Sequence, residues 1–194
     1  MTKSLDFYFD FISPYSFLAY KKLNLINTDN KINVNYKPIL LGGLHKLSNI
    51  TAPAFNERKM KNMKNDCELV AKKNSIEFKW NDKFPLNSLY LMRGYLVVDK
   101  KIKNNFFESC FNAYWKENIN ILEKENVEKI LKNCSINKDL FLEEIQKTRI
   151  KDELKSLTSE AFEKDVFGAP TFIVNNKIFW GQDRLNYAID EYNS

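Results

Sequence analysis

The sequence predicts an α/β protein of the order β-α-β … β-β-α, with a large all-helical insertion between the two halves. Three observations carry this. The N-terminal stretch alternates with a period of two, the middle is helical in character with one glycine, and short apolar runs return near the end. At 194 residues the chain can build one substantial core with an insertion. Its 44% hydrophobic and 14% aromatic content favours a packed globule over disorder.

Leu5, Phe7, Phe9 and Phe11 alternate with Asp6, Tyr8 and Asp10, which is the spacing of a strand. Ser13-Pro14 then starts a helix: serine is a good N-cap, and proline at the first helical position gives up a donor that lacks a partner anyway. Tyr15, Leu18, Ala19 and Ile26 follow at helical spacing, and "KINVNYKPI" reads as a second strand closed by Pro38 and Gly42-Gly43. This β-α-β unit favours a parallel pair with a right-handed crossover. Helices are expected near 55–74, 87–101, 103–117, 124–133, 138–147 and 150–164, separated by Asn, Asp and Pro punctuation. In "PTFIVNNKIFWG", strands Thr171–Val174 and Lys177–Trp180 flank Asn175-Asn176, a pair that tolerates the left-handed turn of a tight hairpin. "DRLNYAIDEY" makes the last helix. Joining the ends gives a four-stranded mixed sheet, the thioredoxin-like arrangement, with residues 1–45 and 165–194 as the sheet domain and 46–164 as the helical insertion domain.

The net charge of +5 is spread over lysines interleaved with acids, so nucleic acid is not an expected partner. Cys67, Cys110 and Cys134 form no CxxC pair, and His45 is the only histidine, so zinc-ligand spacing is absent and no metal is expected. A reduced, cytoplasmic setting fits such cysteines. Asp6 and Asp10 interrupt the first apolar run, against a secretory signal. No stretch approaches the roughly 20 apolar residues that cross a bilayer, so a membrane partner is not expected either.

Ser13 taken alone is a helix cap. Gly168-Ala169-Pro170-Thr171, just before a strand, adds a second feature. A proline there in a thioredoxin-like fold is expected to be cis and to face the first helix, which turns the Ala169 backbone toward an extended peptide. A hydroxyl beside unpaired N–H groups at a helix N-terminus suits a thiolate and lowers its pKa. No histidine lies close in sequence to activate Ser13 as a nucleophile. Ser13 and Ser16 cannot form a disulfide, which disfavours an oxidoreductase. Hydroxyls can stand where thiols usually do when the sulfur arrives with the ligand.

"FYFDFISPYSFLAY", "FPLNSLYLMRG" and "DVFGAPTFIVNNKIFWGQDRL" resemble the 2-hydroxychromene-2-carboxylate isomerases, relatives of kappa-class glutathione transferases within the DsbA-like group. The resemblance covers effectively the whole chain. It implies glutathione as cofactor, a small aromatic or oxo-acid substrate, and reversible addition of the glutathione thiolate to an unsaturated carbonyl compound, freeing a double bond to rotate. By position, Ser13 matches the glutathione-activating serine. Ala169 matches the residue that pairs with the cysteinyl backbone, and Trp180, Gly181, Gln182 and Asp183 match the turn holding the glutamyl end. "GQD" is expected to open the last helix and offer free N–H groups to the glutamyl carboxylate, with Asp183 for its ammonium. Asp183 as a cap and Trp180 as hairpin packing are the plainer readings.

On the substrate side the isomerases carry a lysine after strand two, where this chain offers His45 or Lys46. Asn49, Asn56 and Lys59 in "SNITAPAFNERK" are further candidates, the asparagines doubling as helix caps, and Trp80 and Asn81 fall at an aromatic substrate contact. Asp165 stands where relatives usually have glycine, so a left-handed helix terminus must be held by aspartate. The resemblance leaves a kappa-like transferase or peroxidase as the alternative, and a redox-dead binding module as the non-enzymatic one. Homodimers are common in the family, though no surface stripe in the sequence marks an interface.

Overall fold

Four strands, β1 (Leu5–Phe9), β2 (Val34–Pro38), β3 (Thr171–Val174) and β4 (Lys177–Trp180), form one mixed sheet in the order β2-β1-β3-β4. β1 runs parallel to β2, with Phe7 opposite Tyr36, and antiparallel to β3, with Phe7 opposite Phe172. The computed structural model describes residues 3–29 and 31–194; residues 1, 2 and 30, which fall in the expected sheet segment, lie outside the described residues. The helices are α1 (Pro14–Ile26), α2 (Leu41–Leu47), α3 (Glu57–Lys73), α4 (Leu89–Val97), α5 (Lys103–Trp115), α6 (Lys124–Asn133), α7 (Lys138–Glu144), α8 (Thr148–Glu163) and α9 (Leu185–Asn193). Among the described residues no helix is long and apolar enough to cross a membrane.

The expected punctuation has a visible physical basis. Asn175 and Asn176 both take left-handed backbone, with φ of 48° and 62°, as a two-residue hairpin between right-twisted strands requires. Asp165 takes φ 59° at the end of α8, where the Val166 N–H returns to the Ala161 carbonyl at 3.0 Å.

Two features differ from the sequence reading. Gly42-Gly43 does not end the chain's run after β2; the pair sits inside the first turn of α2. That helix is started from a distance. The Thr158 hydroxyl accepts from the Leu40 N–H at 2.9 Å and the Asp10 carboxylate accepts from the Leu41 N–H at 2.8 Å. Remote caps thus outweigh the low helix propensity of two glycines. The expected domain boundary at 45/46 consequently falls within α2.

The second difference concerns β1. Its alternation is real, but both faces are covered. Phe7 and Phe9 enter the main core, while Tyr8 is buried against Ile39, Leu44, Ala161 and Val166, under α2 and α8. The main core runs without a break from the sheet into the insertion. Phe107 of α5 lies 4.6 Å from Phe9 and 4.8 Å from Tyr20, and Phe111 lies 4.9 Å from Phe11. Burying each such ring contributes up to about 3 kcal/mol, so α5 is fixed firmly against the strand that leads to Ser13.

Gly94 explains itself by contact. A Cβ there would stand 2.5 Å from Phe141 Cζ and 2.9 Å from Phe106 Cζ. Gly94→Ala should therefore lose about 1–3 kcal/mol of unfolding free energy by overpacking α4 against α5 and α7. Urea denaturation checks this, and an unchanged midpoint would show that the two phenyl rings can retreat.

Candidate active site

Between β1 and α1 the chain makes a tight turn, and its polar groups are answered from several directions. Asp10 is fully buried. Its carboxylate accepts from the Ile12 N–H at 3.1 Å and the Leu41 N–H at 2.8 Å, and its carbonyl accepts from the Ser13 N–H at 3.0 Å. Burial pushes the Asp10 carboxyl above the usual carboxylate range, against the pull of donors from Ser88, Leu41 and Ile12. The Trp115 indole N–H closes the turn on the Phe11 carbonyl at 2.8 Å.

Ser13 follows as the N-cap of α1. Its oxygen accepts from the Ser16 N–H at 3.1 Å, and its hydroxyl donates to the Ala169 carbonyl at 2.8 Å. Pro14 has no N–H and the Ser16 N–H is taken by Ser13. The Tyr15 N–H is left as the first-turn donor ahead of any intrahelical acceptor. Facing it, the Ala169–Pro170 bond is cis. The Thr171 hydroxyl donates to the Gly168 carbonyl at 2.8 Å, and the Gly181 N–H donates to the Pro170 carbonyl at 2.9 Å, which holds this turn from both sides.

Trp180 lies across Gly168, so close that a Cβ on the glycine would sit 2.6 Å from its indole nitrogen, and its ring packs 4.9 Å from Phe167. Beyond it Gly181 takes φ 106°, and Gln182–Arg184 forms a short 3-10 turn ahead of α9, so "GQD" precedes the last α-helix instead of opening it. Gln182 is buried, its carbonyl and side-chain oxygen both accepting from Lys22 Nζ at 3.1 and 3.2 Å, whereas Asp183 is exposed.

These groups border a cleft of about 590 Å3 whose lining includes Asp10, Ser13, Tyr15, His45, Lys59, Ala169 and Trp180. Its outer wall is apolar: Leu40, Ile50, Phe55, Met63, Phe84 and Phe167. Burial lowers the His45 pKa, which favours the neutral imidazole.

Of the residues singled out from sequence, Ser13, His45, Lys59, Ala169 and Trp180 meet at this cleft. Gly181, Gln182 and Asp183 continue from Trp180 just beyond its lining. Lys46 is exposed, outside the lining. Asn49, with φ 53°, is the left-handed residue closing α2, where the Ile50 N–H reaches the His45 carbonyl at 2.9 Å. Asn56 caps α3 by accepting from the Lys59 N–H at 3.0 Å. Trp80 packs 5.1 Å from Phe84 and 5.7 Å from Trp115. Asn81 is buried, donating to the Tyr114 and Ile119 carbonyls at 3.0 Å each. None of Asn49, Asn56, Trp80 and Asn81 lines the cleft. Asp10, Tyr15, Phe55 and Phe167 do, and sequence reasoning passed over them. Asp10 could have been found as an acid three residues before the capping serine.

A mixed four-stranded sheet, a helical insertion and a cis-proline turn facing a helix N-terminus define a thioredoxin-type protein. Over residues 4–193 the chain matches the DsbA-like thioredoxin domain family, and it belongs to that family. Its relatives include the 2-hydroxychromene-2-carboxylate isomerase of Sphingobium xenophagum, 27% identical over 189 residues and covering 96% of each chain. They also include glutathione S-transferase kappa 1 of Caenorhabditis elegans, 25% identical over 203 residues, covering 96% of this chain and 89% of that one. A solved 2-hydroxychromene-2-carboxylate isomerase superposes with a TM-score of 0.88 at 23% identity, covering 97% of this chain and 94% of the other, a likeness of fold.

Asp10→Ala should cost on the order of 3 kcal/mol, because buried donors lose their acceptor. The pH dependence has a definite sign. The Asp10 pKa is raised on folding, so the native state holds the extra proton, and stability falls as pH rises from the usual carboxylate range toward the raised value. Asp10→Asn should flatten that slope in urea midpoints taken across pH; an unaltered slope would assign it to other groups.

Proposed function

We propose that this protein is a glutathione-dependent isomerase resembling the 2-hydroxychromene-2-carboxylate isomerases, acting on a small unsaturated carbonyl compound. The observation that carries the reading is the Ser13 hydroxyl, at a helix N-terminus and 2.8 Å from the carbonyl preceding a cis-proline. The donor set fits an anionic sulfur: the Ser13 O–H, the Tyr15 N–H and the positive end of α1 converge there. Glutathione, when bound, supplies a thiolate able to add reversibly to the substrate.

The chain's own groups then have separable tasks. Ser13 holds the sulfur as an anion and the Ala169 backbone orients the cysteinyl unit. Asp183 offers a carboxylate to the glutamyl ammonium, while Lys22 steadies the Gln182 carbonyl beside it. The apolar wall of Ile50, Phe55 and Phe84 holds the substrate and keeps water out. His45, whose burial favours the neutral imidazole, can give or take a hydrogen bond at the substrate carbonyl.

One observation favours a second reading, a kappa-like glutathione transferase. Among the described residues lining the cleft Lys59 is the single lysine or arginine, and it is exposed at the rim. Such a wall accepts a neutral electrophile as readily as an oxo-acid.

Ser13→Ala should raise the pKa of bound glutathione's thiol by about one to two units, the worth of one hydrogen bond to a charged group. The ultraviolet absorbance of bound thiolate measures this, and equal absorbance in both proteins removes the assigned role of Ser13. Supplying hydroxychromene carboxylate and an unrelated neutral electrophile in parallel separates the two readings. Turnover of the first supports the isomerase, turnover of the second alone the transferase, and turnover of neither returns the cleft to a binding role.

A further inference from the structure

The sheet ends at β2, and the helices α1 and α5 that pack over it leave a second cavity there, of about 450 Å3. It shares no lining residue with the cleft, and its volume falls within the roughly 300–1,000 Å3 of ordinary small-molecule sites. The floor is aromatic: the rings of Tyr36 and Phe107 lie 4.7 Å apart and those of Tyr20 and Phe107 4.8 Å. The rim is made of Asn24, Thr28 and Asn104, all exposed. Asn27, at the end of α1, is already engaged, its amide donating to the Ile32 carbonyl at 3.0 Å and accepting from the Ile32 N–H at 2.9 Å. The Thr28 and Asn104 side chains and the Tyr36 hydroxyl, by contrast, make no hydrogen bond among the described residues. The Asn24 carbonyl, in the last turn of α1, likewise accepts no backbone N–H there. Among the described residues no Asp, Glu, Lys, Arg or His lines the cavity.

We propose that this cavity is a second binding site, for a neutral polyhydroxylated ring of the pyranose type. Three features select that chemistry. An uncharged lining gives a carboxylate or an ammonium nothing in exchange for its lost water, so the ligand is neutral. Amides and hydroxyls both donate and accept, and the groups that match them most fully are hydroxyls, which do the same. The aromatic floor takes the apolar C–H side of a ring while the hydroxyls at its edge reach Thr28, Asn104, the Tyr36 oxygen and the Asn24 carbonyl. An apolar ring without hydroxyls would cover the floor and leave those polar groups short of partners. The proposal draws nothing from the chemistry of the cleft and stands or falls apart from it.

The test is a saturation-transfer NMR titration of the full chain with D-glucose as the probe. Phenol, cyclohexylamine and cyclohexanecarboxylate, rings that are apolar or charged, are titrated beside it. Tyr36→Phe keeps the packed ring and removes only the hydroxyl, and Asn104→Ala alters an exposed position, so the two variants retain the fold by separate routes. The wild type should bind glucose more tightly than the other three probes. At least one variant should weaken glucose about 5-fold, the worth of one neutral hydrogen bond. Absence of a glucose signal, tighter binding of any other probe, or an unchanged glucose affinity in both variants overturns the proposal.

Discussion

The structure depends on how the turn between β1 and α1 is paid for in hydrogen bonds. Residues 10 to 13 belong to no regular element, yet they are almost wholly buried, so each backbone group needs a partner from elsewhere. Asp10 answers the Ile12 and Ser13 N–H groups from within the turn, and the insertion answers both groups of Phe11. Trp115 of α5 binds the Phe11 carbonyl at 2.8 Å, and the sulfur of Met92, in α4, faces the Phe11 N–H at 3.4 Å. Asp10 links the same turn to the start of α2. The helical block is therefore part of the machinery that aims Ser13, and the unbroken aromatic core between sheet and insertion is what keeps that aim steady.

Local chemistry was legible in the sequence and remote chemistry was not. The alternation of β1, the Ser-Pro start of α1, the paired asparagines of the hairpin and the left-handed Asp165 are dictated by neighbours in the chain, and each could be read there. α2 could not, because its caps come from Asp10 and Thr158, one on β1's exit and one on α8. Missing that helix also left His45 and Lys46 indistinguishable. Adjacent positions on a helix point about 100° apart, which puts His45 at the cleft and leaves Lys46 exposed. The asparagines and Trp80 show the converse limit: a residue type suited to substrate binding serves equally well in a cap or a packed loop.

The cleft's electrostatics are mostly the result of burial. It raises the Asp10 carboxyl and the Tyr15 phenol and lowers the His45 imidazole, so each of the three is pushed toward its neutral form. In such surroundings fixed positive charge is confined to Lys59 at the rim, and the interior offers oriented dipoles. The Ser13 hydroxyl and the α1 terminus are the dipoles nearest the cis-proline turn.

The position of Trp180 has a practical consequence. The chain has three tryptophans, of which Trp115 is fully buried and Trp80 partly so, while Trp180 is 54% exposed at the cleft rim. Its indole rests on the bare backbone of Gly168, one residue from the carbonyl that Ser13 engages. The molecule thus carries an intrinsic fluorophore at the cleft rim, where a bound ligand would alter its surroundings.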